Sequence, residues 1–115
     1  MNNPELLISI ASFCDNELSK TIDSIIDNSA NKNNLEIVVF NQSEYPENIN
    51  YPNVTEVYSS YKKTNGVVWA REQIRHHVKP HHKYYLQIDA HMRFDKDFDQ
   101  KLMTYLDEYT GKVVF

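Results

Sequence analysis

"LEIVVF", residues 35–40, is the stretch on which the fold turns. Apart from Glu36 it is continuously apolar and rich in β-branched residues, so it does not alternate between a wet and a dry face. A short run of that kind reads as a strand covered on both sides, which is the habit of parallel sheets with helices on each face. Working outward, "ELLISIA" at 5–11 is a similar run that feeds into polar "SFCDN". "VTEVY" at 54–58 and "YYLQI" at 84–88 read as two more short strands, and the Pro-containing stretch 41–53 as loop.

Helical periodicity fills the gaps. Leu18, Ile22, Ile25 and Ile26 recur at helical spacing over about 16–29, with Asp15 placed to cap the start. Over 65–78, Val67, Ala70, Ile74 and Val78 form one stripe. Pro80 ends that helix, because it disfavours helical geometry in the residue before it. Phe98, Leu102, Leu106 and Tyr109 form a third face, with Gly111 placed to terminate it, and "KVVF" at 112–115 begins another strand. Alternating strands and helices predict an α/β, Rossmann-like, mostly parallel sheet with right-handed crossovers. Residues 1–115 make a single domain, and the end inside an apolar run suggests part of a larger design.

Composition narrows the function classes. Hydrophobic content of 41% and charged content of 24% are those of an ordinary globular chain. No apolar run reaches bilayer length and no signal pattern opens the chain, so a membrane span is not expected. The single cysteine, Cys14, excludes an internal disulfide framework and fits a reducing, cytoplasmic setting, where it reads as a small packing residue. A net charge of −4 without a basic stripe argues against a nucleic-acid partner. An acidic chain can still hold a phosphate ligand where a metal ion or one arginine supplies local positive charge.

Ligands of open α/β sheets sit beyond the carboxyl ends of the strands. Three polar clusters fall at such ends: "SFCD" at 12–15, "NQ" at 41–42 and "DAH" at 89–91. Asp89 and His91 are two apart, so in extended geometry both project to one side and can share a divalent cation such as Mn²⁺. The plainer alternative makes Asp89 a loop aspartate capping the next helix and His91 its solvated neighbour. Asp95 and Asp97 read as helix-start acids, and an EF-hand over 95–106 fails because Gln100 and Leu106 replace the required glycine and glutamate. His76, His77, His81 and His82 lack a cysteine or a second ligand pair nearby, so they read as a solvated helix end rather than a zinc site. Gly66 allows a ligand to approach the start of a helix, whose N-terminus favours anions. Arg71, one turn on, is either a diphosphate clamp or a surface arginine paired with Glu72 or another acid.

Taken together, "SIASFCDNEL", "FNQ", "NGVVWAR" and "LQIDAHMRF" resemble the polypeptide (hydroxyproline) N-acetylglucosaminyltransferase family, a branch of the GT-A glycosyltransferases. The likeness runs from about Leu7 to Phe98, with alanine at position 90 where the family often has serine. The resemblance implies a UDP-sugar donor, UDP-GlcNAc first among them, whose diphosphate is held by Mn²⁺ or Mg²⁺ on Asp89 and His91. It implies further that Ser9, Ala11, Ser12 and Asp15 line the nucleotide pocket. Gln42 would approach uridine, and Gly66 and Arg71 would face the phosphates. The acceptor would be a hydroxyl of a protein or glycan. The chain then reads as a donor-binding half, with the catalytic base beyond Phe115. The competing reading is a noncatalytic nucleotide-binding or interaction module that keeps the fold.

Overall fold

The computed structural model describes residues 3–60, 62 and 66–108. Four strands, β1 (Leu6–Phe13), β2 (Leu35–Ser43), β3 (Val54–Ser60) and β4 (Tyr84–Asp89), form one sheet in the order β3-β2-β1-β4. Every pairing is parallel. Helix α1 (Leu18–Asn28) joins β1 to β2, α2 (Val67–Arg75) joins β3 to β4, and α3 (Phe98–Asp107) follows β4. The α/β layered sheet expected from the sequence is therefore present.

Both faces of the sheet are apolar, as "LEIVVF" requires. Leu6, Ile8 and Ile10 of β1 with Ile37 and Val39 of β2 pack against Leu18, Ile22 and Ile25 of α1 and Leu106 of α3. The alternate residues, Leu7, Val38 and Phe40, pack against Ala70 and Ile74 of α2 on the other face. The chain steps from β1 outward to β2 and β3, then returns through α2 across the sheet to β4 on the far side of β1. Crossovers of one hand running in opposite directions must lie on opposite faces, so the sheet reverses its winding between β1 and β4. Reversals of this kind are where open α/β sheets take their ligands, beyond the carboxyl ends of the strands.

Several local expectations need correction. Strand β2 continues through Gln42 to Ser43, so the loop starts later than its polar composition suggested. The α1 N-cap position is Glu17, without a side-chain cap; Asp15 Oδ1 instead accepts the Glu17 N–H at 2.9 Å as a local turn. Helix α2 stops at Arg75 because His77 and Val78 donate to Ile74 and Arg75 in tight three-residue turns, and Val78 is 42% exposed rather than on the apolar stripe. Cys14 is exposed, not packed, with a φ of 50° at the bend where β1 ends. The side chain of Val67, and Tyr109, Gly111 and "KVVF", lie outside the described residues.

Side chains of α1 hold the segment after β4. The Thr21 hydroxyl, fully buried, donates to the Ala90 carbonyl at 2.7 Å and accepts from the Met92 N–H at 3.0 Å. Ser24 Oγ accepts from the Phe94 N–H at 2.9 Å, and the Asn28 carbonyl accepts from the Asp97 N–H at 2.6 Å. Farther along, Asp99 of α3 accepts from Ala30 and Asn31 N–H at 2.6 and 3.1 Å.

At the other end of the sheet, the Tyr84 hydroxyl donates to Asp107 Oδ1 at 2.5 Å. That bond, with burial and the negative charges of Asp107 and Glu5, pushes the phenol up to about 12. A folded-state value above the ordinary one means stability that is complete below pH ~10 and is lost as pH rises toward ~12. Tyr84→Phe is expected to cost about 1–2 kcal/mol in urea unfolding at pH 8. The difference from wild type should shrink steadily between pH ~10 and ~12. A difference independent of pH would show that the phenol proton is not what Asp107 holds.

Candidate functional site

The carboxyl ends of β1 and β4 present two groups of polar side chains, one on each face. Parallel register pairs Ala11 with Asp89 and Phe13 with Gln42, so Ser9, Ala11, Gln42 and Asp89 all lie on the face that α2 covers. Ser9 and Gln42 are buried there, yet Ser9 Oγ and Gln42 Nε2 have no hydrogen-bond partner among the described residues. Arg71, in the second turn of α2, extends to the same place: its Nη2 is 3.6 Å from Asp89 Oδ1 while its buried Nε is unpaired. Glu72 pairs with Arg75 at 3.0 Å, so the acid beside Arg71 is Asp89, a contact that the surface-pair reading also accommodates. Gly66 stands just before α2 with φ 94°, a backbone angle that costs a side-chain-bearing residue energy.

On the opposite face lie Ser12, Asp15 and His91. Ser12 is 3% exposed with an unpaired hydroxyl beside Asn41 of β2. His91 Nδ1 lies 3.0 Å from Asp15 Oδ2. Partial burial pushes the Asp15 carboxyl up, but the Glu17 N–H and the His91 imidazole together outweigh it and hold the group below the usual aspartate range. Alongside, Arg93 Nη2 meets Glu17 Oε1 at 2.6 Å, a second tie between the loop after β1 and the loop after β4. The structure thus divides the sequence-derived residues between two faces, with the Asp89–His91 turn joining them.

The spacing in sequence predicts Asp89 and His91 projecting to one side, but the structure sets Asp89 on the face of α2 and His91 on the opposite face beside Asp15. What they share is the rim at the end of β4, where a carboxylate and an imidazole are donors that a hard divalent cation accepts. The side chains of Asp89 and His91 are 61% and 63% exposed, both open at the rim. Among the described residues, no trio of ligand atoms containing either one converges. Two protein ligands with the remaining positions left to phosphate and water is the habit of Mg²⁺ and Mn²⁺, not of a closed protein cage. The Arg71–Asp89 contact is longer than a hydrogen bond and largely solvated, so its loss to a cation is cheap. Buried polar atoms lacking partners in the adjoining floor add to the fit, since such groups are uncommon unless a ligand or water satisfies them.

One metal-like trio does converge, Glu36, His81 and His82, at the amino end of the sheet. His82 Nδ1 accepts the Lys79 N–H at 2.9 Å, so the ring proton sits on Nε2, which donates to Glu36 Oε1 at 2.7 Å. A metal on Nε2 would require the proton on Nδ1, facing another N–H. The trio is better described as a hydrogen-bonded clasp. A hollow of about 630 Å³ beside it, lined by Lys32, Glu36, Tyr51, Asn53 and His81, is at the wrong end of the strands for a ligand of this fold. The smaller cleft of about 480 Å³ is at the carboxyl rim, lined by Cys14, Asp15, Asn16, Asn41, Ser43 and Tyr45. Gln42 points away from that cleft, and its neighbours Asn41 and Ser43 take its place there.

Sequence reasoning sets Asn41 with Gln42 in a polar cluster at a strand end, and the structure adds that its amide donates to Glu56 Oε2 at 2.8 Å. Thr21 is the contributor it misses. Thr21 lies among Leu18, Ile22 and Ile25, where a threonine reads as packing. A polar residue on an otherwise apolar helical stripe was the available signal.

No curated protein matches the chain. No helix among the described residues is long and apolar enough to cross a membrane. A sequence model of the family described as Glycosyltransferase (GlcNAc) matches residues 46–114. That span holds Gly66, Arg71, Asp89 and His91, while the β1 and β2 residues precede it. With more than half of its residues matched and its polar rim at the reversal of a parallel sheet, this chain belongs to the glycosyltransferase (GlcNAc) family.

Proposed function

We propose that the chain forms the nucleotide-sugar-binding half of a divalent-metal-dependent transferase of the GT-A type. It would take GlcNAc or a related sugar from a UDP-sugar to a hydroxyl of a protein or glycan. The reading is carried by Arg71 beside Asp89 at the sheet's reversal point, above a floor of unpaired buried groups from Ser9 and Gln42. The 480 Å³ cleft between the loops after β1 and β2 suits the nucleoside, with Asn41, Ser43 and Tyr45 at hand. The family to which the chain belongs supports sugar transfer, with a hydroxyl of a protein or of a glycan as acceptor. One cysteine in the chain supports a cytoplasmic setting.

In such a reaction an acceptor hydroxyl gives up its proton to a general base and its oxygen bonds to the anomeric carbon as the bond from that carbon to the β-phosphate oxygen breaks. UDP departs with the electron pair and so gains negative charge. Asp89 and His91 would hold Mn²⁺ or Mg²⁺, which supplies Lewis-acid stabilisation of that charge. Arg71 would turn from Asp89 to the diphosphate as a two-pronged donor, leaving the carboxylate free. Ser9 and Gln42 would satisfy their buried polar atoms on the ligand.

Arg71→Ala separates this reading from a structural one. Calorimetric titration in Mn²⁺ should show UDP weakened by about tenfold to a hundredfold, with uridine nearly unchanged, because only the diphosphate meets a guanidinium. Equal losses for both ligands would remove Arg71 from the site. No UDP binding by the wild type would overturn the donor assignment.

A further inference from the structure

We infer that Asp15 is a positioning residue for His91, fixing the imidazole so that Nε2 alone faces the cation, with Thr21 locking the backbone beneath it. This rests on the metal assignment proposed above and changes the role of Asp15 from nucleotide contact to support.

The chemistry of the contact sets the tautomer. A carboxylate can only accept, so at the 3.0 Å contact with Asp15 Oδ2 the proton of a neutral His91 sits on Nδ1. Nε2 is then the lone pair available to a metal. The carboxylate is itself immobilised: its other oxygen accepts the Glu17 N–H at 2.9 Å, and its side chain is 22% exposed against 63% for His91. A carboxylate behind an imidazole is the arrangement that orients metal-binding histidines and raises their basicity.

The backbone is held as firmly. Ala90 and Met92 flank His91, and one buried hydroxyl, that of Thr21, bonds to both at 2.7 and 3.0 Å. The ring therefore has its main chain fixed on both sides and its Nδ1 fixed from above. Arg93 on Glu17 anchors the next residue to the same loop at 2.6 Å. His91 is exposed, yet its orientation is set from three directions.

The test uses Mn²⁺ with UDP as probe, read by calorimetry, and ¹⁵N NMR of the His91 ring at a pH where it is neutral. His91→Ala should weaken Mn²⁺ binding strongly, and Asp15→Asn by roughly tenfold to a hundredfold, the usual cost of losing a metal ligand's hydrogen-bond partner. Asp15→Asn keeps an oxygen for the Glu17 N–H, so the loop should persist. The double variant should be no weaker than His91→Ala alone. Wild-type His91 should show a single Nδ1–H tautomer without metal, and Asp15→Ala a mixture. Additive losses in the double variant would overturn the proposal by showing that Asp15 meets the ligand directly. Loss in His91→Ala with none in Asp15→Asn would overturn the positioning role and leave the metal site standing. Loss in neither would overturn the metal assignment, and the proposal with it.

Discussion

Asp89→Ala is expected to lower UDP affinity at saturating Mn²⁺ by at least about a hundredfold, to the level seen in EDTA, which is about 2.7 kcal/mol. The size follows from the small number of protein ligands. Among the described residues, no third histidine, cysteine or acid converges with Asp89 or His91, so removing the carboxylate removes the only anionic anchor of the pair. Asp89→Asn should retain a small part of the affinity, since an amide oxygen can ligate without charge. The same substitutions release Arg71, so uridine monophosphate without metal should bind the variants no more weakly than wild type. Calorimetry showing equal UDP affinity with Mn²⁺, with EDTA and in Asp89→Ala would end the metal assignment.

Asp99→Ala is expected to cost about 3 kcal/mol and to lower Tm by more than about 10 °C, with little direct effect on ligand contacts. The carboxylate is 1% exposed and accepts two main-chain N–H groups, from Ala30 at 2.6 Å and Asn31 at 3.1 Å. Hydrogen bonds to a charged group contribute about 1.5–3 kcal/mol each, and both donors would be left without an acceptor. Asp99→Asn should be intermediate, because its one carbonyl oxygen replaces only part of the pair. Urea and thermal unfolding followed by circular dichroism would decide it. A change within about 0.5 kcal/mol, the range of an ordinary surface substitution, would contradict the bonding described.

The layered sheet was legible because its strands are uniformly apolar, a signal that depends on no distant partner. "LEIVVF" and "ELLISIA" fall in neighbouring central strands, and "YYLQI" lies on the other side of β1, as a buried parallel strand should. The position of Asp89 and His91 at a strand end was legible for the same reason. What each side chain touches was not. Arg71 reads in sequence as a surface ion pair or a ligand clamp, and only the fold shows that the acid beside it is Asp89 and not Glu72. In "FDKDFDQ" Asp95 and Asp97 attract the structural reading, while Asp99, in the first turn of α3, holds the long-range bonds. Glu36 was invisible as the partner of His82, forty-six positions away in sequence. Strand ends were misjudged where polarity was taken for exposure: Gln42 is polar and 2% exposed. The left-handed bend at Cys14 left no trace, because a cysteine there carries none of the usual turn chemistry.

The hydroxyl shared by Ala90 and Met92 bears on how such a rim can respond to a guest. A corner bolted at two points to a neighbouring helix has no hinge of its own, so the imidazole travels with α1 or not at all. On the proposed reading, adjustment would fall to the opposite jaw, the guanidinium on α2, whose contact with Asp89 at 3.6 Å is loose and solvated. The rim would then work as a vice with one fixed jaw, gripping by the swing of a single side chain.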